Sequence, residues 1–330
     1  MTTEGDNWRP TATLERLRRR ADAVARVRSY FAQRQVMEVD TPVVVNATVT
    51  DVHIHSAEVR FPDAAGRYFL HTSPEFAMKR LLAAGSGDIY QICHVARGLE
   101  RGRQHNAEFT LIEWYRVGFT LEQLMNEVEA LVREILGPVA EGLRSLRVTY
   151  RDAFMQELGF DPFAATREVL EAAARELGFQ TSGDATVLSE IERDELLELL
   201  MGARIGPRLG RNALTFVHRY PASQAALARL DPEDSRCALR FELYCQGIEL
   251  ANGFHELASS REQRARFEQD RAERSRRQLP VSPLDERLIA ALEAGLPDCA
   301  GVALGFDRVL MLATGATHID DVMAFPIERA

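Results

Sequence analysis

Residues 241–256, FELYCQGIELANGFHE, place two alternating runs on either side of Gln246-Gly247. Strand side chains alternate between faces, and a two-residue turn containing glycine joins antiparallel neighbours. The segment therefore predicts a hairpin in which Tyr244 pairs with Glu249 and Glu242 with Ala251. Glu242 and Glu249 would then stand diagonally on one face. Two carboxylates so placed repel unless a cation or a proton lies between them. Mg2+ on a polyphosphate asks for this modest protein ligation, although two exposed glutamates on a solvated hairpin fit the same pattern. Asn252, Phe254 and Glu256 have the opposite parity. To reach the same side they need a bulge, expected near Ala251–Gly253, where Asn-Gly can supply one.

A second run, EFTLIEWYR (108–116), puts Phe109, Leu111, Glu113 and Tyr115 on one strand face and Thr110, Ile112 and Trp114 on the other. Glu113 is either a solvated strand residue or a carboxylate facing a cleft beside an aromatic ring and a phenol. GVALGFDR (301–308) reads as a strand entering a helix, with Arg308 at the junction. Gly301 and Gly305 would let backbone approach a flat ligand, and the Arg308 guanidinium can stack on a base or fork onto phosphate. No Gly-Lys-Ser/Thr follows, so this is not a P-loop.

Around these runs, Leu14, Leu17, Ala21, Val24 and Phe31 recur at helical spacing, and Arg16, Arg18, Arg19 and Arg20 read as a solvated face. Val39 to Val45 is a strand interrupted at Pro42, Glu75 to Ala84 a helix stopped by Gly85, and Asp88 to Val95 a strand. Leu121 to Leu136 is an amphipathic helix closed by Gly137-Pro138. Residues from about 140 to 212 hold two or three further helical patterns, read as an insertion, and the mixed charges of 260–278 fit a helix with internal ion pairs.

Composition excludes some classes. No apolar run approaches the ~20 residues of a membrane span, and MTTEGDNWRP lacks a basic-then-apolar leader, so a cytoplasmic enzyme without membrane contact is expected. A net charge of −9 argues against gripping a polyanion by charge alone. Cys93, Cys237, Cys245 and Cys299 form no Cys-x-x-Cys pair and read as reduced thiols. His53 and His55 lie in an alternating run without a carboxylate or Cys at ligand spacing, as on a solvated strand face.

Taken in order, VMEVDTP (36–42), the Arg97-to-Tyr115 stretch, GIELANGFHE (247–256) and GVALGFDR resemble the ATP- and amino-acid-binding parts of a lysine-specific class II aminoacyl-tRNA synthetase. TSPEFAMKRLLAAG (72–85), YPASQAALA (220–228), REQRARFEQD (261–270) and the ending AFPIERA resemble the elongation factor P lysine ligase family, a stand-alone paralogue of lysyl-tRNA synthetase. The resemblance implies an α+β fold, with an antiparallel six- or seven-stranded sheet flanked by helices. It implies one catalytic domain over 1–330 with the 140–212 insertion, no anticodon-binding domain, and a homodimer joined through the first signature. The implied activity is ATP-dependent ligation of lysine or (R)-β-lysine to elongation factor P, with ATP and Mg2+ as cofactors and tRNA not expected as a partner. A minimal core that charges tRNA and a silent paralogue acting as a binding subunit are the alternatives.

Residue by residue, the resemblance assigns Ser73, Pro74 and Glu75 to the amino-acid end of the substrate, and Glu113, Tyr115 and Glu256 to its distal ammonium. Asn252 would position the substrate, and Ala303 would lie at the pocket floor, where tRNA-charging relatives tend to have Gly. Arg97 would contact the α-phosphate, His105 and Asn106 would sit on the ATP-facing loop, and Phe109 and Arg308 would sandwich adenine. Glu242 and Glu249 would hold Mg2+, with Leu250 and Gly305 lending backbone near ATP. The second signature departs from the family: Ala96-Arg97-Gly98-Leu99-Glu100 stands where Phe-Arg-Asn-Glu-Glu is expected, which leaves Glu100 to replace the lost carboxylate.

Overall fold

The structure, a computed structural model, describes residues 8–62, 66–98, 100–179 and 192–330. In chain order its strands and long helices are α1 (Leu14–Ala32), β1 (Met37–Glu38), β2 (Val44–Val45), β3 (Glu58–Val59), β4 (Tyr68–Leu70), α2 (Glu75–Ala83), β5 (Ile89–Ala96), β6 (Glu108–Val117) and α3 (Leu121–Leu136). They continue as β7 (Arg144–Thr149), α4 (Tyr150–Leu158), α5 (Arg167–Glu176), α6 (Arg193–Leu200), β8 (Ala213–Pro221), β9 (Cys237–Cys245) and β10 (Ile248–His255). The last are α7 (Ser260–Arg276), α8 (Glu286–Gly295), β11 (Cys299–Gly305) and α9 (Phe306–Thr314). Two compact units result, one built from the chain up to Glu141 and from Glu256 onward, the other from Gly142–His255.

In the first unit, β1, β5, β6 and β11 lie side by side, with β2, β4 and β3 in a small separate sheet. β6 pairs antiparallel with both β5 and β11, but β1 runs parallel to β5, so the sheet is mixed rather than antiparallel throughout. Of the expected strand from Val39 to Val45 only Val44–Val45 pairs as a strand, β2, beyond the Thr41-Pro42 break, while β1 lies just before it. One sheet face is the core. Trp114 is fully buried, Phe31 stacks on Tyr90 at 4.2 Å and meets Trp114 edge-on at 5.4 Å, and Trp114 Nε1 donates to Glu127 Oε2 at 3.1 Å. α3 begins and ends where its caps predict: Thr120 and Gln123 form a capping box, and Gly137 at φ +59 closes the helix. The buried stripe of α1 is Ala23, Val27, Tyr30 and Phe31, while Leu14 is exposed. It is rotated from the expected stripe because tyrosine and alanine carry much of this face.

In the second unit, β10, β9, β8 and β7 lie side by side, with β7 parallel to β8 at the edge. The stretch read as two or three helical patterns thus also contributes a strand, β7. Its pattern RSLRVT is exposed over its first four residues and carries no clear apolar alternation. α4, α5 and α6 bury Tyr150, Phe154, Leu170, Leu196 and Leu200 against Val217 and Tyr244 of the sheet. Gln246 and Gly247 turn the β9–β10 hairpin with φ +51 and +73. A Cβ on Gly247 would lie 2.7 Å from Pro207 O, so only glycine fits there.

Among the described residues no helix is long and apolar enough to cross a membrane. All four cysteines are free, three of them buried and Cys93 partly so.

Candidate active site

The strand register of the first unit collects a set of acids. Glu113 on β6 lies directly opposite Gln91 on β5 and Ala303 on β11, and Tyr115 opposite Ile89 and Gly301. Directly paired residues share a face, so Ala303 stands beside Glu113, at the place expected of a pocket floor. Ser73 Oγ donates to Glu113 Oε2 at 2.7 Å and accepts from Glu75 N at 3.0 Å, which ties the start of α2 to β6. Tyr115 OH donates to Glu113 Oε1 at 2.8 Å. Pro74 is the N-cap residue of α2 and makes no side-chain cap bond.

Glu256 is 3% exposed, and its Oε1 has no hydrogen-bond partner among the described residues. Gln91, 1% exposed, likewise leaves its Oε1 without one. Gly301 makes the room: a Cβ there would sit 2.3 Å from the Tyr115 ring and 2.6 Å from Glu256 Oε1. The absence of a side chain there admits these two groups. Burial, with Glu75 and Glu256 as like charges, pushes the Glu113 carboxyl up to about 8. Burial and Glu75 push Glu256 to about 7 against the pull of Lys79. These buried acceptors, one on an amide and one on a carboxyl that a nearby cation would ionise, suit a ligand group rich in N–H donors.

The same unit builds a second group of residues around the β5–β6 connection. Arg97 lies over the Phe109 ring at 5.2 Å, and its buried Nε has no hydrogen-bond partner among the described residues. Arg308 donates from Nε to Gln104 O at 3.2 Å and approaches His105 Nε2 at 2.7 Å. Phe109 thus carries Arg97 over its ring, while Arg308, expected with Phe109 on either side of adenine, engages His105 and Gln104. Burial, and then the nearby Arg308, lowers the His105 pKa, so the ring is held neutral. Asn106 is 1% exposed and spends its side chain on backbone, donating to Glu108 O at 2.7 Å and accepting from Ile327 N at 3.3 Å. Gly98 pairs with His55, donating its N–H to His55 O at 2.6 Å. Glu100 is half-buried and close enough to His105 to favour its charged form. Leu99 lies outside the described residues.

Arg20, expected on a solvated face, instead pairs with Asp307, which is 1% exposed and also accepts from Thr110 N at 2.6 Å. Arg20 donates to Thr110 Oγ1 at 2.6 Å as well. This cluster clamps the β11–α9 junction, from Gly305 to Arg308, onto β6. A helical-wheel reading cannot distinguish an arginine that meets a distant aspartate from one that meets water.

In the second unit the β9–β10 register pairs Tyr244 with Glu249, as expected, but Glu242 with Asn252 rather than Ala251. A bulge is present between Glu249 and Ala251, earlier than the Asn-Gly site, with Leu250 as the extra residue. It reverses the parity, so that Glu242, Glu249 and Asn252 share one face. Glu242 Oε2 accepts from Tyr220 OH at 2.5 Å and Tyr244 OH at 2.6 Å, and Oε1 from Arg240 at 2.5 Å. Arg240 also donates to Asn252 Oδ1 at 3.2 Å. A second bulge, at Arg219 with φ +61, brings Tyr220 into this set. Among the described residues no group of three or more His, Cys, Asp or Glu is placed to hold a metal by itself. Two oxygen ligands on one face still fit a hard cation that takes its other ligands from phosphate and water. A separate hollow of about 230 Å³ in this unit is lined by Arg151, Arg219 and Arg236. Each of these arginines is already paired with an aspartate.

Comparison with known proteins gives these clusters a common context. The family described as tRNA synthetases class II (D, K and N) matches residues 6–329. The elongation factor P–(R)-β-lysine ligase of Vibrio parahaemolyticus serotype O3:K6 is 52% identical over 328 residues, covering 98% of this chain and 99% of the relative. The protein of that name from Klebsiella pneumoniae (strain 342) is 46% identical over 332 residues, covering 99% and 100%. The chain belongs to the elongation factor P–(R)-β-lysine ligase family.

Within this family's class II catalytic fold, sequence reasoning missed Lys79, Gln91 and the Arg20–Asp307 pair. Lys79 is 1% exposed, with Nζ 2.5 Å from Glu75 Oε1 and 2.6 Å from Glu256 Oε2. Its i,i+4 spacing from Glu75 was legible, but that pattern is usual on solvated helices. Only the burial sets it apart.

Proposed function

We propose that this chain activates lysine or (R)-β-lysine with ATP and transfers the aminoacyl group to a lysine side chain of elongation factor P. The observation that carries this reading is the acid pocket of the first unit, with Gln91 Oε1 and Glu256 Oε1 left as buried acceptors. A donor-rich cation would satisfy them, and the relatives that match over nearly the whole chain carry the ligase name. ATP dependence comes with the class II family.

In the first step the substrate carboxylate attacks the α-phosphorus, forming the acyl-phosphate bond as pyrophosphate leaves. Arg97, whose Nε lacks a partner among the described residues, would donate to the α-phosphate oxygens as charge grows there. Phe109 and Arg308 would hold the base, and His105, Gly98, Glu100, Asn106 and Gly305 would shape the nucleotide side. In the second unit Glu242 and Glu249 would hold Mg2+, which supplies charge neutralisation on the triphosphate, with Leu250 lending backbone and Asn252 positioning the amino acid. Ser73, Pro74 and Glu75 would bind the α- or β-amino end, and Glu113, Tyr115 and Glu256 the ε-ammonium. Ala303, beside Glu113, would trim the floor to favour the displaced amine of the β-amino acid.

In the second step the acceptor ε-amine attacks the mixed anhydride, forming an amide and releasing AMP. That amine, with a reference pKa of about 10.4, must first lose a proton. We read the chain as one catalytic domain with the 140–212 region as an insertion, acting as a cytoplasmic homodimer without tRNA. Amino-acid-dependent ATP–pyrophosphate exchange with lysine, with (R)-β-lysine and with neither, followed by transfer to purified elongation factor P, tests the reading. Failure of both compounds to support exchange, or exchange followed by charging of tRNA and not of the protein, overturns it.

A further inference from the structure

We propose that Lys79 is a specificity-determining positioning residue: a built-in counter-cation that neutralises one carboxylate of the acid pocket, so that the site takes amino acids bearing two ammonium groups. The proposal rests on the acid pocket being the amino-acid site. Three carboxylates meet there, Glu75 from α2, Glu113 from β6 and Glu256, against one ammonium, Lys79. Among the described residues the other groups found beside them carry no positive charge: Ser73, the Tyr115 phenol, Gln91, and on β5 the Cys93 thiol, itself near Asp40. Two acids are thereby left for the ligand to ionise and pair, and a diamino acid brings two ammonium groups.

Lys79 is suited to set this balance because it does not reach solvent and its ion pairs are made with acids of the pocket. Both its partners, Glu75 and Glu256, belong to the pocket itself, at 2.5 and 2.6 Å. The Glu256 contact is an ion pair that leaves Oε1 open. Buried without a cation, three such acids would not stay ionised together; at least one would take up a proton and cease to attract an ammonium. Burial already holds Glu113 near 8 and Glu256 near 7, so the loss of Lys79 would carry Glu256 well into its neutral form at physiological pH.

The test compares wild type, Lys79→Met and the charge-balanced Lys79→Met/Glu256→Gln double variant. In Lys79→Met the acid limb of lysine-dependent exchange should move up by about one pH unit or more. The lysine KM should rise about tenfold, with the ATP KM within about twofold. Calorimetry of lysine binding in buffers of different ionisation enthalpy should find more protons released per lysine in Lys79→Met than in wild type. The double variant removes both charges, so it should regain most of the thermal stability lost by Lys79→Met while discriminating less against norleucine, the isostere without the ε-amine. An unmoved acid limb with equal losses for ATP and lysine, or unchanged proton release, would make Lys79 a purely structural ion pair. Lysine binding without exchange would remove the ligase reading and leave Lys79 to the calorimetric arm, whereas absence of lysine binding to wild type sinks both.

Discussion

Gly301 lies so close beneath Tyr115 that a Cβ on it would sit 2.3 Å from the ring. Gly301→Ala should push Tyr115 and Glu256 aside, costing about 1–3 kcal/mol of stability through overpacking. Because both displaced groups belong to the acid pocket, the lysine KM should rise about tenfold and the ATP KM little. Steady-state exchange kinetics check this split, and equal effects on both substrates would contradict it.

The raised carboxyls make an opposite prediction from ordinary surface acids. Glu113 at about 8 and Glu256 at about 7 bind protons in the folded chain that the unfolded chain has released above about 4.5. Their contribution to stability is therefore present below that value and is lost as pH rises through 7 and 8. The melting temperature of the ligand-free protein should fall between about pH 5 and 8, and Glu113→Gln should flatten the fall. Scanning fluorimetry across this range decides it.

Asp307 accepts from Arg20 and from the Thr110 amide while almost fully buried. Arg20→Met leaves that carboxylate without its cation, and chemical denaturation should report a loss of about 3–5 kcal/mol. At temperatures where the variant is folded, nucleotide affinity should weaken, because Arg308 follows Asp307 directly. A stability loss within about 0.5 kcal/mol would mean the pair is dispensable.

Arg101 makes a different kind of pair. It reaches both Asp320 and Glu328 near the C-terminus and donates to His105 O at 3.2 Å, but its side chain is 35% exposed. Salt screens such a network, so Arg101→Met should cost no more than about 1 kcal/mol. The loop carrying His105 loses one of its fastenings all the same, and the ATP KM should rise severalfold. Thermal melts alongside ATP titrations separate the two effects.

Glu242 is oriented by two phenols and a guanidinium. Glu242→Gln should raise the Mg2+ concentration for half-maximal exchange about tenfold. Chelation with EDTA should abolish exchange in wild type and be reversed by Mg2+. A variant with unchanged Mg2+ dependence would place the metal elsewhere.

Much of this was legible in the chain alone, because it depends on near neighbours. The capping box and Gly137 set the ends of α3, the Gln246-Gly247 turn set the hairpin, and alternation along 108–116 put Glu113 beside Tyr115. The need for a bulge in β10 also followed from parity, since Asn252 could not otherwise join Glu242. Its location did not. The extra residue fell at Leu250 and not at Asn-Gly, because pairing energies over the whole β9–β10 ladder choose the register.

What only the tertiary structure decided is where charges meet. Arg20 and Asp307 are separated by 287 positions, and no periodicity links them. Lys79 reads as half of a solvated helix pair until α2 packs it against Glu256. Helical and strand patterns record which side chains leave water, since that choice repeats along an element. Which charge neutralises which, and how many are left for a ligand, depends on elements distant in sequence arriving at one place in a low-dielectric interior, where a single ammonium changes the protonation of its neighbours.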